Sequence, residues 1–217
     1  MNNSVANTGR LALAALRMLL VLTVVTGILY PLAVTGIAQG LFHDKANGSI
    51  VKVEGKEVGS ALIGQTWDLP KKAAADSTTG NDADEAARPD PKWFQPRPSN
   101  SGYDPLSTGS SQLGASDPTL TKLVGDTKKA VAAFNGVPES EVPKDAVTGS
   151  ASAIDPHISP EYAEIQIKRV AKANGLSEQQ VTTLVDDHTE GRTAGFLGEP
   201  HVNVLRLNLA LKDLAAR

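Results

Sequence analysis

The feature that most constrains this chain is an uncharged stretch of about 25 residues, Met18 to Phe42, which lies between Arg17 and the polar residues from His43 onward. A bilayer core of roughly 30 Å is crossed by about 20 apolar residues at a helical rise of about 1.5 Å each. The stretch is therefore long enough to span a membrane. It must be helical there, because lipid offers the backbone no hydrogen-bond partners, and Pro31 predicts a bend.

The residues that flank this stretch predict its orientation. The preceding segment carries Arg10 and Arg17 and no acidic residue. By the positive-inside rule, residues 1–17 form a cytoplasmic tail, 18–42 the transmembrane helix and 43–217 an extracytoplasmic domain. The alternative is a cleaved signal peptide, because Gly36-Ile37-Ala38 offers small residues for cleavage. Such peptides usually have an apolar core of only about 7–15 residues, so we expect a retained anchor.

Composition narrows the class of the remaining chain. All 24 Asp and Glu lie beyond residue 42 whereas two of the 21 Lys and Arg lie before it, so the exported part is acidic. An acidic balance argues against a nucleic-acid binder, which usually carries a basic patch. The absence of cysteine rules out disulfides and thiolate zinc sites within the chain. We expect one mixed α/β (α+β) soluble domain with an aliphatic core, because aromatic residues make up only 4% of the sequence.

Local patterns place one hairpin and three helices in this domain. Ser49 to Val53 and Lys56 to Val58 are β-prone runs with Glu54-Gly55 between them, which predicts a hairpin. Asp117-Pro118 and Ser159-Pro160 each combine an N-cap with a helical first residue, and Gly136 and Gly175 mark the ends of these helices. A third helix begins at Ser177 to Gln180, which has the form of a capping box.

Two segments are harder to assign from pattern alone. Residues 71–91 are poor in large apolar residues and predict a flexible insertion, because they cannot bury enough surface to offset their ordering entropy. Val202 to Leu211 alternates well enough for a buried strand, but it also fits a helix that begins after Leu205. That assignment stays open.

No convincing active site emerges from the residue types. His and carboxylate residues that suit zinc are present, but none has ligand spacing such as His-Glu-x-x-His; they are Asp155, His157, His188, Glu190, Glu199 and His201. Ser150 or Ser152 with His157 and Asp155 supplies the residue types of a catalytic triad, but a Gly-x-Ser-x-Gly elbow is missing. We expect neither a catalytic residue nor a metal site, and the chain reads as a subunit rather than an enzyme.

The chain as a whole resembles the C subunit of the Kdp potassium-transporting ATPase. The resemblance covers nearly all residues and is carried by many collinear matches. Those matches include Leu62-Ile63-Gly64-Gln65, Arg97-Pro98-Ser99, Ser150-Ala151-Ser152, Asp155-Pro156-His157-Ile158-Ser159, Gly195-Phe196-Leu197-Gly198-Glu199-Pro200 and Leu207-Asn208-Leu209-Ala210-Leu211.

The resemblance implies a bacterial inner-membrane complex. In it, a channel-like subunit selects potassium, a P-type ATPase subunit hydrolyses ATP, and the C subunit supports assembly. The family is also described as a catalytic chaperone that raises the ATPase subunit's affinity for ATP, so ATP would act through the partner and no tightly bound cofactor is expected. Lipid is the other expected partner.

A proposed basis for the ATP effect is a likeness to the transporter signature Leu-Ser-Gly-Gly-Gln. The chain matches it at Leu176, Ser177 and Gln180, whereas Glu178 and Gln179 replace the two glycines. Glycine lets a backbone approach a phosphate closely, and Glu178 adds negative charge beside that anion. We therefore favour the capping box as the explanation of Ser177 and Gln180, and an indirect effect on ATP.

Three polar loops are predicted to dock on partner subunits. Their candidate residues are Trp93, Phe94, Arg97, Ser99, Asp155, His157, Gly198, Glu199 and His201. The alternative function from another class is a membrane-anchored exported hydrolase that uses Ser150 or Ser152 with His157. A free-standing adhesion domain is the third possibility.

Overall fold

The computed structural model describes residues 2–70 and 88–216, and of residues 2–6 only the backbone. The chain divides into two compact units, Met1–Ile50 and Val51–Arg217. The first holds the long apolar helix and the second a domain of helices and small sheets, which confirms the predicted fold class.

The first unit is one long helix with an irregular turn in its middle. Helix α1 (Asn2–Val24) runs into a π-helical turn (Val25–Leu29) and continues as α2 (Tyr30–Leu41), followed by the short α3 (His43–Ala46). Within it, the 35 residues from Asn7 to Leu41 are long and apolar enough to cross a membrane. The helix thus begins well before Met18, so that the predicted tail is largely helical too.

The irregular turn follows from Pro31. Proline has no amide hydrogen and its ring crowds the carbonyl four residues earlier, so the regular ladder cannot continue through this position. The amide of Tyr30 instead bonds to the carbonyl of Val25, five residues back. The structure thus has a π turn on the N-terminal side of Pro31, and the bend stays a prediction.

The second unit opens with the predicted hairpin, β1 (Ile50–Val53) and β2 (Lys56–Ser60). Further along, three short strands form an antiparallel sheet in the order β3-β5-β4, with β3 at His157–Ile158, β4 at Thr189–Glu190 and β5 at His201–Asn203. In register, His157 faces Asn203 and Thr189 faces Val202. The central strand β5 therefore holds both edges together.

Among the described residues the domain also contains four α-helices: α4 (Pro118–Asn135), α5 (Pro160–Asn174), α6 (Glu178–Asp187) and α7 (Val204–Ala215). The N-caps predicted for α4 and α5 are confirmed, because Asp117 accepts from the amide of Thr119 and Ser159 from that of Tyr162. Both helices end at left-handed glycines, with φ of 70° at Gly136 and 69° at Gly175.

The open assignment of Val202 to Leu211 resolves as a strand that turns into a helix. Strand β5 ends at Asn203, whose side chain accepts from the amide of Arg206 and so caps α7. From Val204 onward the buried residues follow a helical period, with Leu207 and Leu211 both fully buried. The helix starts slightly before the predicted position, because Asn203 acts as its N-cap.

The core is mainly aliphatic, as the composition predicts. It gathers side chains from α5, α6, α7 and the sheet, with Phe94 as the one fully buried aromatic ring among the described residues. Other fully buried members include Ile158, Val170, Val181, Val202, Leu207 and Leu211.

Two buried carboxamides fix the extended segment that carries Phe94. The Asn208 side chain accepts from the Phe94 amide and donates to the Phe94 carbonyl, both at 2.9 Å. Gln166 likewise accepts from the Gln95 amide at 2.7 Å and donates to its carbonyl at 3.1 Å. Both carboxamides are fully buried, so they replace the strand partner that this backbone lacks.

Arg169 supports the same segment from α5. Its guanidinium donates to the carbonyls of Pro91 and Trp93 at 2.6 and 3.0 Å, and to Gln166 Oε1 at 2.7 Å. The charged group also lies 4.4 Å from the ring centroid of Phe134. Burial lowers the pKa of Arg169 to about 10, because desolvation disfavours its charged form.

The predicted insertion 71–91 falls mostly outside the described residues. The structure does describe the C-terminal end of this segment. There Pro89 forms an antiparallel bridge with Asp68, and the amide of Asp90 bonds to the Trp67 carbonyl at 2.9 Å. Pro89 and Asp90 therefore contact the folded domain, and flexibility of the insertion stays a prediction.

Replacing Asn208 with alanine is expected to lower the free energy of unfolding by roughly 2–5 kcal/mol. The change leaves a buried amide and a buried carbonyl of Phe94 unpaired, each at a cost of about 1–3 kcal/mol. Thermal or urea unfolding of the full chain in detergent would measure it. Asn100→Ala, at an exposed asparagine, is the control and should change stability by less than about 0.5 kcal/mol.

Candidate functional site: a loop surface around His157

The predicted docking loops meet around His157, at the edge of the three-stranded sheet. His157 begins β3, and Asp155 lies two residues before it. Arg97 comes from the extended segment that follows Phe94, and His201 begins β5. Below, the His157 surface denotes Arg97, Asp155, His157, Glu199 and His201.

Asp155 joins two of these segments. Its carboxylate accepts from Arg97 Nη1 at 3.0 Å, and from the backbone amide and Nδ1 of His157 at 3.0 and 3.1 Å. Burial of Asp155 raises the pKa of its carboxyl, but the hydrogen bonds from His157 and the charges of His157 and Arg97 outweigh burial. The net pKa lies below its ordinary value, so Asp155 is an anion at neutral pH.

The other side of His157 faces strand β5. Its Nε2 lies 3.5 Å from Nδ2 of Asn203, which also donates to the Ala61 carbonyl at 2.8 Å. The His157 ring meets that of His201 edge-on, with centroids 4.5 Å apart. His201 in turn lies against the loop before β5, with Nδ1 at 2.9 Å from the Glu199 carbonyl. Three segments distant in sequence thus become one surface.

Ser99 supports the backbone of this surface together with Tyr103 and Gly64, two residues that were not predicted as site residues. Ser99 donates to the Ala153 carbonyl at 2.6 Å, and the Tyr103 hydroxyl donates to the Arg97 carbonyl. Gly64 packs under Tyr103 so closely that an added Cβ would lie 2.3 Å from a ring carbon. Glycine permits this close approach because it has no side chain.

Two of the aromatic docking candidates have other roles. Phe94 is fully buried in the core, so its side chain packs the domain and cannot form a docking surface. Trp93 is half-buried and lies against Trp67, with ring centroids 5.2 Å apart. The prediction is wrong for Phe94, because an aromatic pair next to prolines looks the same whether its rings point inward or outward.

Ser150 and Ser152, the serines of the hydrolase alternative, bond to groups other than His157. Ser150 and Ser152 lie 3.3 Å apart, hydroxyl to hydroxyl, and Ser152 accepts from the Ile154 amide. Both ring nitrogens of His157 face other partners, Asp155 and Asn203. Across residues 2–70 and 88–216, no group of three or more His, Asp or Glu side chains could hold a metal ion.

Ser177 and Gln180 form the capping box predicted from the sequence. Ser177 Oγ accepts from the Gln180 amide at 3.2 Å, and Gln180 Oε1 accepts from the Ser177 amide at 3.0 Å. The cleft beside this turn, between α5 and α6, is lined by Glu164, Glu178 and Asp186, and Lys168 is the one cationic side chain among its described lining residues. Both residues are thus used in capping α6, and the nearby charge disfavours a phosphate.

Comparison with known proteins gives a consistent picture over the whole chain. Residues 12–213 match the family model described as KdpC, the c chain of the K⁺-transporting ATPase. The potassium-transporting ATPase KdpC subunit of Streptomyces avermitilis is 52% identical, with 100% of this chain and 99% of the relative aligned.

Other relatives extend this similarity. The KdpC subunit of Streptomyces coelicolor is 51% identical over 100% of this chain and 98% of its own length. That of Kineococcus radiotolerans is 45% identical over 99% and 100%. The resemblance read from the sequence is confirmed, and the chain belongs to the KdpC family of K⁺-transporting ATPase subunits.

Proposed function

We propose that this chain is a non-catalytic accessory subunit whose folded domain docks on the potassium-selecting subunit through the His157 surface. The observation that carries the proposal is the convergence of three separate loops on His157. Their polar groups bond to one another and remain partly exposed, with 35% of the His157 side chain accessible. A surface ordered before binding loses less conformational entropy when a partner arrives.

The proposed location is the exported side of a bacterial inner membrane, with the N-terminus in the cytoplasm. Support comes from the basic residues Arg10 and Arg17 before the apolar helix and from the absence of acidic residues in that segment. An acidic domain would also favour cations near a pore entrance. At physiological salt this effect reaches only about 8 Å, so it would involve nearby charges.

In this arrangement the subunit influences ATP binding indirectly. Ser177 and Gln180 would lie across the membrane from a cytoplasmic ATP site, and their polar groups are used within the capping box. A catalytic-chaperone effect would therefore pass through the apolar helix and the partner subunits.

His157→Gln is expected to lower the recovery of the other transporter subunits, and potassium uptake, by several-fold. The change breaks the contacts with Asp155 and His201 at the centre of the surface while keeping a polar side chain. Copurification from membranes in mild detergent and uptake by intact cells would measure the effects.

The matched control is His188→Gln, since the His188 side chain bonds only to the Leu184 carbonyl near the end of α6 among the described residues. It should leave recovery and uptake unchanged. A double Ser150→Ala, Ser152→Ala variant separates docking from the hydrolase alternative. Loss of uptake with full recovery of the complex in that variant would contradict docking.

Leu106→Cys tests the orientation. The chain has no cysteine of its own and Leu106 is 94% exposed, so the new thiol is unique and reachable. An impermeant thiol reagent should label it in intact cells or spheroplasts. Labelling that occurs only after lysis would place the domain in the cytoplasm.

Ser177→Ala is expected to destabilise the domain by about 1 kcal/mol through the lost N-cap, and to leave the KM for ATP of the assembled transporter unchanged. Thermal unfolding and ATPase kinetics give the two readouts. Thr183→Ala, on the same helix but outside the cap, is the control. A several-fold rise in KM for ATP specific to Ser177→Ala would favour direct nucleotide contact.

A further inference from the structure

The loop between β4 and β5 carries two exposed apolar side chains at its end. All ten residues from 191 to 200 are exposed, and Phe196 and Leu197 show 73% and 55% of their surface. We refer to Phe196 and Leu197 as the apolar tip. Large apolar side chains side by side on a projecting loop are a common mark of an interaction site.

The backbone of this loop is held in one conformation. The amide of Thr193 bonds to the Leu197 carbonyl at 2.9 Å, and the reverse bond measures 3.0 Å. Gly195 and Gly198 bracket the tip with φ of 82° and 80°, a conformation that side chains other than glycine rarely adopt. The tip is therefore built to present its two side chains in a fixed direction.

An ion pair also joins the two arms of the loop at its base. Arg192 Nη2 lies 2.7 Å from Glu199 Oε2 across the two arms. The arms continue into β4 and β5, which pair with each other through Glu190 and His201. Because ordering has occurred in the free chain, a partner would bind the tip with little further loss of conformational entropy.

Charges around the tip favour a protein partner over a bilayer surface. Loops and helices that bind lipid usually surround their apolar residues with Lys and Arg, which attract anionic headgroups. Here the ionised side chains from 190 to 200 are Glu190, Arg192 and Glu199, and Arg206 pairs with Glu190 at 3.4 Å. An aromatic and a leucine side chain within a paired polar rim match the anatomy of a protein–protein hot spot.

The tip is continuous with the proposed docking surface. The loop leads directly into His201, whose ring contacts His157, and Glu199 belongs to both the loop and that surface. A partner seated on the His157 surface would therefore lie next to the tip.

We propose that Phe196 and Leu197 insert into an apolar pocket on the potassium-selecting subunit of the same ATPase. The proposal rests on the proposed docking of this domain and adds the residues that anchor it and the chemistry of the partner site. The polar surface would orient the subunit, and the apolar tip would supply most of the affinity.

A photocrosslinker at the tip tests the contact directly. Benzoylphenylalanine replaces Phe196 in the full chain, the assembled complex is irradiated in native membranes, and the adduct is identified by mass spectrometry. We expect one adduct, to a peptide of the potassium-selecting subunit, whereas an adduct to a different subunit alone would contradict the proposal. The same crosslinker at Leu106, an exposed site on a different loop, should give no such adduct.

A double Phe196→Ala, Leu197→Ala variant measures the affinity. Recovery of the other subunits in mild detergent should fall at least about tenfold, because two buried anchors commonly dominate an interface. Leu106→Ala should leave recovery unchanged. Thermal unfolding of the double variant should match that of the parent chain, since both side chains are exposed.

The outcomes separate this proposal from the one it rests on. Adducts to lipid alone, absence of any adduct, or full recovery of the complex with the double variant would overturn insertion of the tip. If His157→Gln still weakened the complex in that case, docking by the polar surface would stand. If the parent chain itself failed to recover other subunits, docking would fall as well.

Discussion

The folded domain depends on the pairing of one extended backbone segment with two side-chain amides. Phe94 and Gln95 pair with no strand in the described part of the chain, yet their backbone groups are satisfied by Asn208 from α7 and Gln166 from α5. Each carboxamide offers a donor and an acceptor, as a strand neighbour would. Because the two come from different helices, the segment links α5 to α7. The Phe94 ring packs fully buried in the core.

The same segment positions the candidate site. Beyond Gln95 the chain reaches Arg97 within two residues, so the clamp on Phe94 and Gln95 determines where that guanidinium meets Asp155. Asp155 then orients His157, and His157 meets β5. The position of the His157 surface thus depends on hydrogen bonds in the core, so its geometry should persist without a partner. A polar surface of this kind can be specific without being large.

Helix boundaries were predictable from the sequence because capping residues lie close together in the chain, and the family was predictable because many short motifs match in the same order. Asp117, Ser159 and Ser177 all cap the helices expected of them. The roles of Asn208 and Gln166 were not predictable. Each is a carboxamide inside a helix, and the backbone groups that it binds lie 114 and 71 residues away in the sequence. The docking role predicted for Phe94 was wrong for the same reason, because contacts with residues distant in the sequence decide whether an aromatic ring in a loop is buried.

The π turn at Val25–Leu29 alters how the apolar helix can pair with neighbours. Each π turn accommodates one residue more than an α turn, which rotates everything after it by about 100° relative to an uninterrupted α-helix. Side chains before Val25 and after Leu29 therefore fall out of heptad phase. A straight neighbouring helix that packs along the first half would meet a different face in the second, so the two halves can engage two different helices.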